Sequence, residues 1–190
     1  MRLAVIIGST RPGRIGPKVA NWFADVARID GRFEVDVVDL AVFGFPMEMG
    51  QGAPKMGQYH PNALPFAERI AAADAFVFVT PEYNHGYPAS LKSALDAIYQ
   101  EWTLKPAAFV SYGGASGGLR SIEQLRPVMA ELHVHDIQAG ISVPFVFGAF
   151  AEDGSLKDPL AAKAAQAVLD QLVWWSSTLK TGREANPFRL

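Results

Sequence analysis

Three stretches of this 190-residue chain combine residue types that could do chemistry. The first is GSTRPGR, Gly8 to Arg14, directly behind the apolar run Leu3–Ile7. Ser9 and Thr10 offer hydroxyl donors, Arg11 and Arg14 offer charge and paired N–H groups, and the amides of a helix start favour an anion. The chemistry implied is the grip of a phosphate monoester; the competing reading is a glycine-rich turn with solvated arginines. Gly8 and Gly13 have Walker A spacing, but Arg14 and Ile15 stand where that loop needs Lys and Ser or Thr. No GxGxxG can be read through the stretch, so it is not a dinucleotide fingerprint.

The second stretch is TPEYNHGYP, Thr80 to Pro88, and the third is SYGGASGGL, Ser111 to Leu119. Two tyrosines in a proline-framed loop offer flat faces to a planar ring, or else cap the core. The glycines of the third allow close backbone approach to a flat ligand, or serve as a flexible turn. His133 and His135 in HVH are expected to share a strand face, without a third metal ligand at persuasive spacing, so no metal is expected. His85 lies within the second stretch, where it and Tyr87 could line a substrate pocket. There is no cysteine, which excludes disulfides, thiolate metal sites and a cysteine nucleophile.

The elements that must position these loops follow from periodicity. Strands are predicted at Leu3–Ile7, Arg32–Leu40, AFVFVTP, KPAAFVSYGG and Gly140–Phe150. Between them, helices are predicted behind Pro17, in ALPFAERIAAAD, over 88–102 and over the run ending at Leu132, where Pro127 should kink or split the helix. A last helix covers 159–180. Alternating strands and helices predict one α/β domain over 1–190, a doubly wound five-stranded parallel sheet in the flavodoxin-like order 2-1-3-4-5. In that order ligands sit outside the carboxyl ends of strands one and three. All three unusual loops fall at that end. The Gly- and Pro-rich segment 44–65, with Met47, Met49, Met56 and Tyr59, could cover the ligand slot or reach a partner.

Composition narrows the class. With 17 basic and 19 acidic residues the net charge is −2, too mild for nucleic-acid binding and short of the acidity of a small electron carrier. No segment approaches the ~20 apolar residues of a membrane span, and the N-terminal apolar run is too short for a signal peptide, so a cytoplasmic protein is expected. Residues 1–20 hold Arg2, Arg11, Arg14 and Lys18 and no acid, in keeping with a phosphate at this end.

GSTRPGR, TPEYNHGYPASLKSALD and YGGASGG, in this order, resemble the NADPH-dependent FMN reductase family, whose members include quinone, azo-dye and chromate reductases. PEYN is the most specific block, and the likeness runs to about Pro144. The resemblance implies that Ser9, Arg11, Arg14, Ile15 and Gly16 hold the phosphate of FMN. It implies that Pro81, Glu82, Tyr83 and Asn84 grip the flavin ring, and that Ser111, Tyr112, Gly113 and Gly114 line its other side. Ser93 stands where many relatives have Asn. Two electrons would pass from NADPH or NADH through FMN to a small acceptor by a ping-pong cycle, with no side-chain acid or nucleophile needed. A homodimer or homotetramer is implied too, with weak support from apolar residues beyond one face of the 88–102 helix, ending at Trp102. Arg14, Arg120 or a neighbouring subunit could meet the 2′-phosphate of NADPH. A flavodoxin-type carrier and a flavin-binding sensor remain the alternatives.

Overall fold

In the computed structural model, residues 1–46 and 53–187 are described. Met47, Met49 and the last three residues of the tail lie outside them. Five strands form one parallel sheet: β1 (Arg2–Ile7), β2 (Glu34–Asp39), β3 (Ala75–Pro81), β4 (Pro106–Tyr112) and β5 (His135–Val143). Their order is β2-β1-β3-β4-β5, as predicted. The register brings the strand exits level: Ile7 lies abreast of Asp39 and Val79, Pro81 of Tyr112, and Tyr112 of Val143. The loops after β1, β3, β4 and β5 therefore emerge along one edge.

Helices cover both faces. On one side α1 (Gly16–Asp30) and α5 (Ala161–Ala185) bury Val19, Phe23, Val168 and Leu172 against Val5, Val77 and Val110. On the other side α2 (Leu64–Ala72), α3 (Ala89–Ala97) and α4 (Leu119–Glu131) bury Phe66, Leu91, Leu95, Leu125 and Met129 against Ile6, Phe76, Phe78 and Phe109. β3 and β4 are buried at every position, which their nearly continuous apolar sequence requires of central parallel strands.

Several local expectations are corrected. α3 ends at Ala97, and a separate 3₁₀ turn, Gln100–Trp102, tucks Trp102 into the core 5.1 Å from the Phe76 ring, its indole N–H donating to the Leu95 carbonyl at 3.2 Å. Trp102 is thus consumed within the protomer and gives no support to an oligomer face. Helix α4 runs unbroken through Pro127, whose position and that of Glu123 one turn earlier are exposed, so water can meet the carbonyl that proline leaves unpaired. Ile29, though apolar and at helical spacing from Phe23 and Val26 on α1, is exposed. β5 starts and ends earlier than predicted, because Pro144 and a left-handed Phe145 turn the chain away after Val143. His133 lies in a left-handed turn before β5 and His135 opens the strand, so the two do not share a strand face. Among the described residues no group of three His, Cys, Asp or Glu could hold a metal. No helix among them is long and apolar enough to cross a membrane.

Candidate active site

The loop after β1 starts with the Gly8 amide donating to the Val79 carbonyl at 2.9 Å, which fixes where the chain leaves the sheet. It then turns by an Arg14 amide bond to the Arg11 carbonyl. Among the described residues, no acceptor in the chain meets the amides of Ser9, Thr10, Gly13 or Ile15. Across the described residues four buried side-chain polar atoms have no partner, and two of them, Arg14 Nε and Tyr112 Oη, gather at this loop. Tyr112 Oη lies beneath the start of α1, where a Cβ on Gly16 would come within 2.6 Å of it. Burial pushes the Tyr112 phenol well above its ordinary range, which keeps it protonated and a donor. Unpaired buried donors are rare and call for an explanation; an anion in the loop supplies one.

The two arginines of this loop do different work. Arg14 is ion-paired with Asp39 at the end of β2 (2.5 Å), and Asp39 also accepts the Ala41 amide at 3.0 Å. Arg11 is exposed and has no ion pair among the described residues. With Thr10 it lines a cleft of about 460 Å³ on the β2 side, shared with Leu40, Phe45, Tyr83 and Ser90. Ser9 is fully buried, its hydroxyl 2.6 Å from Tyr83 Oη, which joins the first loop to the second.

The loop after β3 is a tight hairpin. Tyr83 and Gly86 exchange both backbone hydrogen bonds (2.8 and 3.1 Å), and Asn84 and His85 between them have φ of 49° and 75°. Positive φ at both central residues marks a type I′ turn, in which the short amide of Asn84 is tolerated better than the imidazole of His85. Gln124 holds the turn from α4 by donating to the His85 carbonyl at 2.7 Å. Glu82 points away from the turn: its carboxylate accepts from Ser116 Oγ (2.9 Å) and the Arg120 amide (3.3 Å) and pairs with the Arg120 guanidinium. Burial opposes its charge, but these donors outweigh burial and hold the carboxyl below its ordinary value. Tyr87 is half-buried, and desolvation raises its phenol.

The loop after β4 is tied from below. Ser111 Oγ and Ser142 Oγ both donate to the Gly117 carbonyl, at 2.8 and 3.1 Å. Gly118 has φ of 86°, and a Cβ there would meet backbone atoms of Tyr112 at 2.8 Å. A Cβ on Gly114 would meet nothing within 4 Å, so that part of the loop faces open space. Ser111 and the Tyr112 ring are buried, so the side chains assigned to the flavin ring's far wall serve as anchors. Only backbone and the glycines remain to form that wall.

Tyr59 donates to Glu101 at 2.7 Å and Lys55 pairs with Glu131, so the described part of the 44–65 segment lies along the helices. Sequence reasoning missed Asp39, Ser116, Gln124 and Ser142, each far along the chain from its partner and ordinary in its own context. Arg120, considered for the donor's 2′-phosphate, is occupied by Glu82.

The residues fit FMN. Orphan donors and Arg11 suit its phosphate, and a rigid hairpin beside a glycine loop suits its flat ring. A sequence profile described as NADPH-dependent FMN reductase matches residues 1–147. The chain belongs to the NADPH-dependent FMN reductase family. An NAD(P)H-dependent FMN reductase of Schizosaccharomyces pombe is 44% identical over 122 residues, covering 62% of this chain and 60% of that protein, under two thirds of its length. A probable NADPH:quinone oxidoreductase of Oryza sativa subsp. japonica is 32% identical over 200 residues, 98% of this chain and 93% of that one. Among solved structures, the flavoenzyme NAD(P)H:(acceptor) oxidoreductase FerB from Paracoccus denitrificans superimposes with a TM-score of 0.74 at 26% identity, covering 93% and 97% of the two chains.

Proposed function

We propose that this member of the FMN reductase family binds FMN at the carboxyl edge of the sheet and reduces small acceptors with NAD(P)H by a ping-pong cycle. Quinones come first among the acceptors, because the rice relative that spans nearly the whole chain bears that name; azo compounds and free flavin ask the same of an open slot. The observation that carries the reading is the meeting of unpaired donors in the first loop with the hairpin and glycine loop beside it. FMN, when bound, supplies the two-electron transfer that no side chain of this chain could supply.

The chain's own residues bind, orient and insulate. The amides of Ser9, Thr10, Gly13 and Ile15, the Arg11 charge and the buried Tyr112 hydroxyl serve the phosphate, with Gly16 letting α1 start close above Tyr112. Arg14, held by Asp39, sets the shape of the loop and turns its unpaired Nε inward. Pro81, Tyr83 and Asn84 present the hairpin face to the ring, while Glu82 locks that hairpin to the loop bearing Gly113 and Gly114. His85 and Tyr87 flank the slot. Assembly as a homodimer or homotetramer belongs to the same reading.

The test is an anaerobic visible spectrum of the FMN-loaded chain during titration with NADPH. Prompt loss of the oxidised flavin absorbance, restored by a quinone, is the expected result. Tight FMN that neither NADPH nor NADH bleaches would make the protein a carrier or sensor, and failure to bind FMN would overturn the whole reading.

A further inference from the structure

Helix α4 grips the turn after β3 by its carbonyls. The Ser121 hydroxyl, fully buried, lies 2.8 Å from the Pro81 carbonyl and 2.8 Å from the Gly86 carbonyl, and its one proton serves both. Gln124 stands one helical turn further along the same face and donates to the His85 carbonyl at 2.7 Å. The fit is close, since a Cβ on Gly86 would come within 2.8 Å of Gln124 Oε1. The Tyr83 carbonyl is taken inside the turn by the Gly86 amide. By contrast, the amides of Asn84 and His85 meet no acceptor among the described residues, and both residues are exposed. With φ of 75°, His85 holds a conformation that a side chain of its kind leaves readily unless the surroundings fix it. The bonds from α4 fall on that residue and on its neighbour Gly86.

We infer that Ser121 and Gln124 are positioning residues for the flavin. By occupying carbonyls of the turn they hold it in the form whose Asn84 and His85 amides stay free, and so favour bound FMN more in its electron-rich reduced form than in its oxidised form. The inference rests on the FMN reading of this site and deepens it. Neither side chain belongs to the residues assigned to the cofactor; both act through the backbone between Pro81 and Gly86. A donor gains strength as its acceptor gains negative charge, so amides fixed in advance stabilise the reduced ring more than the oxidised one. Unequal affinity for the two forms is the same quantity as a shift in midpoint potential.

The test compares Ser121→Ala and Gln124→Leu with the native chain, and uses Glu123→Gln, on the exposed side of the same helix, as the control. In the FMN-free proteins, amide exchange at Tyr83 and Gly86, followed by NMR, should quicken roughly three- to tenfold in both variants, the worth of one hydrogen bond. In the FMN-loaded proteins, the midpoint potential should fall by about 15–30 mV, which is that same factor lost from the preference for reduced FMN. Dithionite and a reference dye set the potential, so a chain that NADPH fails to reduce still decides the question, and only the reductase reading then falls. Circular dichroism and thermal midpoints establish that the variants are folded. A lowered thermal midpoint with an unmoved potential is what a packing role predicts, and it overturns the inference. A lowered potential with unmoved amide exchange overturns it too, because the side chains would then act on the flavin directly. Failure of the native chain to bind FMN would overturn the inference together with the FMN reading.

Discussion

At the scale of single residues, the first loop divides labour between two arginines that look alike in the sequence. Arg14 is neutralised by Asp39, so the mobile charge that an incoming phosphate meets is that of Arg11. Arg11→Ala should weaken FMN by about tenfold or more, the worth of a charge-assisted hydrogen bond, and leave riboflavin unchanged; flavin fluorescence quenching measures both. Tyr112→Phe makes a second test. Its hydroxyl is buried without a partner, so removal should leave the flavin-free protein equally stable or slightly more so in urea unfolding. FMN affinity should fall nonetheless, because the phosphate loses a donor. Residue types announced the phosphate loop well. What they could not announce was direction: Glu82 and Tyr112 sit in the right loops but turn inward, toward Ser116 and the α1 start, partners that only the folded chain supplies.

At the scale of elements, the site depends on turns that tolerate little change. Gly118 combines φ of 86° with backbone atoms of Tyr112 at 2.8 Å from a would-be Cβ. Gly118→Ala should therefore destabilise the protein by about 2 kcal/mol or more, read as a lower thermal midpoint, and loosen FMN binding by shifting the loop after β4. Central strands were legible because β3 and β4 are apolar at nearly every position, and the strand order followed from the alternation of strands and helices. The edge strand β5 was not. It alternates between exposed and buried positions, and its apolar signal runs on into a turn that Pro144 and Phe145 impose. Pro127 misled for a related reason, since a proline on the wet side of a helix leaves only a solvated carbonyl unpaired.

At the scale of the whole molecule, the edge opposite the site is held by a buried lysine. Lys105 Nζ donates to the carbonyls of Ile70 and Ala71 at 2.8 and 3.0 Å, closing the end of α2 onto the start of β4. Burial, helped by the nearby Arg183 charge, lowers its pKa from 10.5 to about 8. The unfolded chain then holds more protons between those two values, so stability should rise as pH climbs from about 8 toward 10.5. Lys105→Met should flatten that slope in pH-dependent urea titrations. The sequence placed this residue only as the start of a strand; its burial is a property of the assembled sheet.

The strand order also sets a timetable for synthesis. β1 leaves the ribosome before the other four strands of the sheet, yet it lies inside the sheet, and its second neighbour ends only at Pro81. At about 5–20 residues per second, β1 waits roughly 4–15 s for that partner. During that interval five of its six residues, Leu3–Ile7, all buried in the finished sheet, have one strand edge unpaired. Nascent chains stalled before residue 81 should therefore be strong clients for chaperones that bind short apolar strands, and chains stalled well beyond it should not.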